Sequence, residues 1–144
     1  MPAEWSHGHC AVCAAWPALV ELRGPERERR LRCSRCGADW AAAPPMCPFC
    51  ECADADRLSV MVVGPGEAAR HVEVCRDCGS YVKRVTTATA IRPGDVAVRD
   101  LLTLDLDLAA LDAGLARPGV RALRSDVDPI VRRPGGLVAS LPGA

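Results

Sequence analysis

The sequence predicts a small metal-stabilised α+β protein: two tandem rubredoxin-like or zinc-ribbon modules followed by a C-terminal helix. Three observations predict it. Eight of the nine cysteines fall into four Cys-x-x-Cys pairs, Cys10/Cys13, Cys33/Cys36, Cys47/Cys50 and Cys75/Cys78. The nineteen residues 14–32 and the twenty-four residues 51–74 that separate successive pairs each have room for one β-hairpin. Beyond residue 95 the apolar spacing changes from strand-like to helical. The chain divides accordingly into a lead-in at 1–9, a first metal ribbon at 10–43 and a second at 44–92. An amphipathic helix at 93–117 and a loosely ordered tail at 118–144 complete it.

A Cys-x-x-Cys turn aims both thiolates at one point, so one tetrahedral ion accepts a pair from each of two turns. Four pairs complete two such sites. Sequential pairing is expected, with Cys10, Cys13, Cys33 and Cys36 at one ion and Cys47, Cys50, Cys75 and Cys78 at the other. An interleaved cross-brace satisfies the same count. The ligands suit zinc and iron alike, so the cofactors are two tetrahedral thiolate-bound ions of either metal. Disulfides would use the same residues but belong to oxidising compartments. No secretory signal is expected here, because Glu4 stands near the start, no Lys or Arg precedes Arg23, and Cys13 and Pro17 interrupt the apolar run Ala11 to Leu22. A thioredoxin-like redox motif normally occurs once, not four times. Cys52 is left as a spare thiol.

Composition narrows the function classes. With 3 Trp, 1 Tyr and 1 Phe the chain has little to build a large core, and metal supplies the staple. Lys plus Arg equal Asp plus Glu at 18 each, which argues against general nucleic-acid binding. No apolar run is long enough for a membrane span. A reducing cytoplasm is the expected compartment.

The elements follow in order. His7 and His9 precede the first knuckle and are expected at the surface. Pro17 to Leu22 and Arg29 to Cys33 read as strands around a Gly24-Pro25 turn. The arginines Arg27, Arg29, Arg30, Arg32 and Arg35, mixed with Glu26 and Glu28, read as a solvated hairpin face, with nucleic-acid contact as a minor alternative. Trp40 is expected over the first hairpin, and Ala41 to Pro45 link the ribbons. Arg57 to Val63, His71 to Cys75 and Tyr81 to Thr87 read as strands around a Gly64-Pro65-Gly66 turn, with His71 at the surface. From Val96 to Leu115, Leu101, Leu104, Leu108, Leu111 and Leu115 step by three and four onto one stripe of a helix. Packing of that stripe on the ribbons is the first expectation; partner binding through Leu101, Leu104, Leu108 and Leu111 is the second. Asp95, Asp100, Asp105, Asp107 and Asp112 are expected on its wet side and at its caps.

These residues together resemble the formate dehydrogenase accessory proteins, the FdhE family. The likeness rests on the four pairs in order, Asp39-Trp40 after the second pair, and Cys47-Pro48-Phe49-Cys50. It continues through Val74-Cys75-Arg76-Asp77-Cys78-Gly79-Ser80-Tyr81-Val82-Lys83 and the run Val98 to Asp107, then Gly114 and Arg117, with a weaker echo at Asp128 to Val131. The chain departs from the family where Ala14 and Glu51 replace the glycine that often follows a knuckle, and where Arg99 replaces an acidic residue. Family members usually carry a helical domain ahead of the ribbons, and here nine residues precede Cys10.

The resemblance implies a cytoplasmic maturation factor that binds the catalytic subunit of a formate dehydrogenase during assembly and is not itself an enzyme. The residues add no nucleophile–base constellation and no phosphate-cradling loop to contradict it. Two rivals use the same ribbons: a rubredoxin-like iron redox protein, and a zinc-ribbon nucleic-acid-binding module.

Overall fold

Strand β1 (Pro17–Arg23) is apolar along most of its length and pairs antiparallel with β2 (Glu28–Cys33), from Arg23 opposite Glu28 to Pro17 opposite Cys33. The computed structural model describes residues 5–41, 45–66 and 70–118. The short β3 (Asp39–Trp40) adds to β2, with Trp40 opposite Leu31. After the third knuckle the pattern repeats. β4 (Leu58–Val63) and β5 (Arg70–Cys75) form a second antiparallel hairpin, and β6 (Ser80–Thr87) returns along β5. β1, β2, β4, β5 and β6 fall within a residue of the spans that the apolar runs and turn residues predict.

β6 also runs parallel to β1, with Leu19 opposite Lys83 and Arg23 opposite Thr87. The two ribbons therefore share one six-stranded sheet, in the order β3-β2-β1-β6-β5-β4. Each ribbon contributes three strands in the same sense, so the third strand of the second ribbon docks on the first strand of the first.

Side chains alternate between two faces of this sheet. On one face Val20, Leu22, Leu31, Trp40 and Val82 pack with Cys10, Cys33 and Met46 beneath the knuckles. On the other, Val72, Val74 and Tyr81 meet Leu106 and Ala110, while Leu19 and Ala18 meet Ile91 and Val96. Full burial of such aliphatic side chains is worth roughly 1.5–3 kcal/mol each, so these two layers carry the apolar stabilisation.

The helical region departs from expectation in three ways. A 3-10 turn at Pro93–Asp95 leads into α1 (Val96–Leu101), and α2 (Leu104–Asp112) is a separate helix. The break sits at Thr103, whose hydroxyl donates to the carbonyls of Arg99 (2.9 Å) and Asp100 (3.1 Å). The Lys83 ammonium takes the Asp100 carbonyl as well, at 2.7 Å, diverting an acceptor that a continuous helix would use.

Secondly, the leucine stripe does not pack on the ribbons. Leu101, Leu104, Leu108 and Leu111 are 53–64% exposed, and Leu106 and Ala110 face the sheet instead, with Leu115 half-buried beside them. Thirdly, Asp100 and Asp107 are not on the wet side. Buried Lys83 pairs with Asp100 Oδ1 and Asp107 Oδ2, each at 2.6 Å, and Arg117 joins both carboxylates. Tyr81 donates to Asp107 at 2.8 Å beneath the Arg117 guanidinium. This cluster fixes the rotation of both helices, and the leucines point outward as a consequence. Asp112 does stay exposed, and Asp105 pairs with Arg70 at the surface. Beyond Pro118, the expected tail and the Asp128–Val131 echo lie outside the described residues.

Breaking a buried ion pair costs about 3–5 kcal/mol, because the remaining charge keeps its desolvation without its partner. Lys83→Met should therefore lower unfolding stability by about 3 kcal/mol, the two arginine contacts of the carboxylates absorbing part of the loss. Denaturant titration of the metal-loaded protein measures it, and a change below ~1 kcal/mol would mean the cluster does not pin the helices.

Candidate metal centres

Each knuckle is built the same way. The amide of the residue after the second cysteine donates back to the carbonyl of the first: Ala14 to Cys10, Gly37 to Cys33, Glu51 to Cys47 and Gly79 to Cys75, at 2.9–3.2 Å. That turn requires a left-handed residue, and all four have positive φ, between 57° and 68°. Gly37 has a second reason, since a Cβ there would lie 2.3 Å from the Pro93 carbonyl oxygen. Ala14 and Glu51 adopt the same conformation without glycine, at a cost of about 1–2 kcal/mol each. Other amides point at sulfur: Val12 at Cys10 Sγ, and Arg35 and Cys36 at Cys33 Sγ, each at 3.4 Å.

The knuckles converge in the sequential arrangement. Cys10, Cys13, Cys33 and Cys36 form one group and Cys47, Cys50, Cys75 and Cys78 the other, with the sulfurs of each within 4.8 Å of one another. Neighbouring sulfurs lie 3.4–3.7 Å apart, far beyond a disulfide bond. A tetrahedral ion with ~2.3 Å metal–sulfur bonds has edges of about 3.8 Å, so both groups fit zinc or ferrous iron. Burial pushes the Cys10 thiol up to about 12 and the Cys50 thiol up to about 11, and it raises Cys47 as well. At Cys78 burial is outweighed by hydrogen bonds from Ser80, and the thiol is lowered. A cation at each group would supply the compensation that four thiolates need.

Cys52 stands outside both groups. Its carbonyl accepts the Cys47 amide at 2.9 Å, as Ala15 does for Cys10 and Ala38 for Cys33, so its contribution to the knuckle is made by backbone. Residues 5–9 of the lead-in are tied to the knuckles. Buried Gly8 leaves no room for a Cβ against Pro48 (1.8 Å), Trp40 Nε1 donates to the His7 carbonyl and Trp5 Nε1 to that of His9. The His7 ring is exposed and meets Glu51, as expected of a surface histidine, but His9 is half-buried between Trp5 and Trp16. Trp16 reaches Phe49, so an aromatic chain links the first and third knuckles.

The arginine face is only partly solvated. Arg27 and Arg35 are exposed, but Arg29 bonds Glu73 at 2.7 Å, Arg30 bonds Asp39 at 2.9 Å, and Arg32 is buried with Glu21. Desolvation pulls Glu73 up, but Arg29 and Arg84 together hold it below the usual carboxylate range. Guanidiniums engaged inside the protein are not offered to phosphates. His71 is half-buried. The Lys83 cluster was hidden from a reading of spacing, although Tyr81, Lys83, Asp100 and Arg117 all stand among the residues that carried the family likeness.

Two four-cysteine groups on one sheet, each joining a pair of knuckles across a hairpin, define a double metal-ribbon domain. A family model described as "FdhE, C-terminal domain" matches residues 47–123. The chain belongs to the FdhE family. It is 34% identical over 110 residues to the Protein FdhE homolog of Edwardsiella ictaluri, a match covering 75% of this chain and 35% of that protein. To Protein FdhE of Escherichia coli O127:H6 it is 30% identical over 114 residues, covering 78% and 36%. The crystal structure of the FdhE protein from Pseudomonas aeruginosa superposes with a TM-score of 0.63 at 28% identity, covering 78% of this chain and 39% of that one. The chain thus spans about a third of the length of the curated relatives it matches.

Two predictions follow from the knuckles. Ala14→Gly should stabilise the protein by about 1 kcal/mol, the relief of left-handed strain less the entropy glycine adds to the unfolded chain; a thermal melt would rise by a few degrees. Cys33→Ser should lose one of two bound ions and loosen the first ribbon, whereas Cys52→Ser should keep both. Elemental analysis of reduced protein reads the stoichiometry, and circular dichroism after chelation and zinc return reads the coupled folding.

Proposed function

We propose that this chain is an accessory factor which binds the catalytic subunit of a formate dehydrogenase during its assembly in the cytoplasm. The eight knuckle cysteines would hold two ions that lock the scaffold, and the chain itself catalyses no reaction. Membership of the FdhE family supports the class of function. The observation that carries the docking role is the outer face of α1 and α2, where Val98, Leu101, Leu102, Leu104, Leu108 and Leu111 are 52–67% exposed. Contiguous exposed apolar surface of this kind marks an interaction site. The helices are held to the sheet by Val96, Leu106, Ala110 and the Lys83 cluster, which leaves the six outer side chains available to a partner. Four protein ligands per site leave no open position for substrate, in keeping with a structural role for the metal.

A redox reading has one observation in its favour: Cys36 and Cys50 are exposed, so each centre has one ligand residue at the surface. Reversible bleaching of a thiolate-to-iron absorption would favour it, and colourless protein with two zinc ions would exclude it.

Capture from the source cell by the tagged, metal-loaded chain should recover a formate dehydrogenase catalytic subunit. Leu104→Ser with Leu108→Ser should reduce recovery at least ~10-fold, the loss of two well-buried interface anchors, while metal content stays at two ions. Undiminished capture by that variant would move the docking surface elsewhere, and recovery of no dehydrogenase would overturn the partner.

A further inference from the structure

Charges stand among the outward leucines of α1 and α2, and most of them are engaged within the chain. Asp105 pairs with Arg70, Asp95 with Arg92, and Asp100 and Asp107 with Lys83 and Arg117. Arg99 and Asp112 differ. Both are exposed, and neither side chain makes a hydrogen bond or ion pair among the described residues. Residues three or four apart are neighbours on a helix surface, so Arg99 stands beside Leu102 and Asp112 beside Leu108. One free cation therefore borders the α1 half of the apolar face, and one free anion borders the α2 half.

Asp112 is also unfavourably placed within its own helix. It is the last residue of α2, where the helix dipole presents its negative end, and no basic residue stands in that last turn to offset it. A cation brought by another molecule would supply the compensation. The face further limits what kind of chain can cover it. Its apolar side chains stand on helices, so it offers no row of backbone donors and acceptors for a strand to extend. A helix arrives with its own backbone satisfied and can meet the face through side chains alone. Arg99 and Asp112 are 13 positions apart in the chain, on the order of 20 Å at ~1.5 Å per helical residue, a span of about four turns.

We propose that the α1–α2 face receives an amphipathic helix of a partner, with acidic residues at its amino end beside Arg99 and basic residues at its carboxyl end beside Asp112. Its apolar stripe meets the leucines, and the two charges set its direction. That distribution of charge is also the one a helix's own dipole favours. The inference rests on the reading of this face as a docking surface and adds the chemistry and polarity of what docks. In the matched direction two exposed pairs form; in the reverse, like charges meet at both ends. Four modest exposed contacts together give roughly a 10-fold preference for one direction at low salt, and screening shrinks it.

The test is amide-resolved NMR of the zinc-loaded chain at low salt. The probe is a synthetic amphipathic peptide of about 14 residues with glutamates in its first turn, lysines in its last and a nitroxide label at its amino end. Saturable shifts on Val98, Leu101, Leu102, Leu104, Leu108 and Leu111 are expected, with paramagnetic broadening concentrated at Arg99 and weak at Asp112. Arg99→Glu combined with Asp112→Lys should move the broadening to position 112. Both residues are exposed and make no internal contact, so fold and metal content should not change in that variant. Equal broadening at both ends, an unchanged direction in the double variant, or no saturable shifts on these leucines would each overturn the inference. Shifts that grow with protein concentration alone would overturn it in favour of a second copy. The docking reading itself fails by a different result, undiminished dehydrogenase capture by the Leu104→Ser and Leu108→Ser variant, so the two failures are distinguishable.

Discussion

Four sulfurs at 3.4–3.7 Å in a partly buried group set the terms for the rest of the fold. As thiolates they repel one another and need a cation; as thiols they gain little from being together. The backbone is arranged for the charged form. Amides point at Cys10 and Cys33 sulfur, and each knuckle closes on a left-handed residue even where, at Ala14 and Glu51, that residue resists the conformation. A chain accepts such strain where a larger energy over-determines it, and metal–thiolate bonding is the large term available here.

The next constraint is the parallel pairing of β1 and β6. It turns two ribbons into one sheet and so gives each ribbon a neighbour to bury against. The first is covered by Met46 and Phe49 of the third knuckle's neighbourhood, and residues 5–9 thread between the two, with Gly8 against Pro48. Lys83 lies in the register of that pairing, opposite Leu19, and from there its ammonium reaches Asp100 and Asp107. One strand thus joins the ribbons with its hydrogen bonds and holds the helices with a side chain.

Local features were legible in the sequence and non-local ones were not. Cysteine spacing marks the knuckles because ligand geometry is local, and apolar or β-rich runs bounded by turn residues mark β1, β2, β4, β5 and β6 because strand formers and turn formers differ in local backbone preference. Nothing in a single strand says which distant edge it will join, so the β1–β6 pairing left no trace. The leucines misled for a physical reason. Periodicity identifies an apolar stripe but not its destination, and Lys83, 13 positions before Val96 in the chain, outweighs it by drawing Asp100 and Asp107 inward. Thr103 gave a weak hint of the break, since threonine competes with the helix for its own carbonyls.

That inversion bears on function through its cost. Leaving six large apolar side chains half in water on α1 and α2 forgoes on the order of 5 kcal/mol of burial, at roughly 1.5–3 kcal/mol for a full side chain. Domains of this size have total stabilities of about 5–15 kcal/mol, so the sacrifice is comparable with the whole margin. The ion cluster that imposes it is no cheaper, because Lys83, Asp100 and Asp107 must all be desolvated to form it. A sequence with leucine inside and aspartate outside would satisfy the same helices more simply. Two thiolate-bound ions, at the cysteine groups that could hold them, would supply stability elsewhere, and the outward leucines are the face on which the docking role proposed above rests.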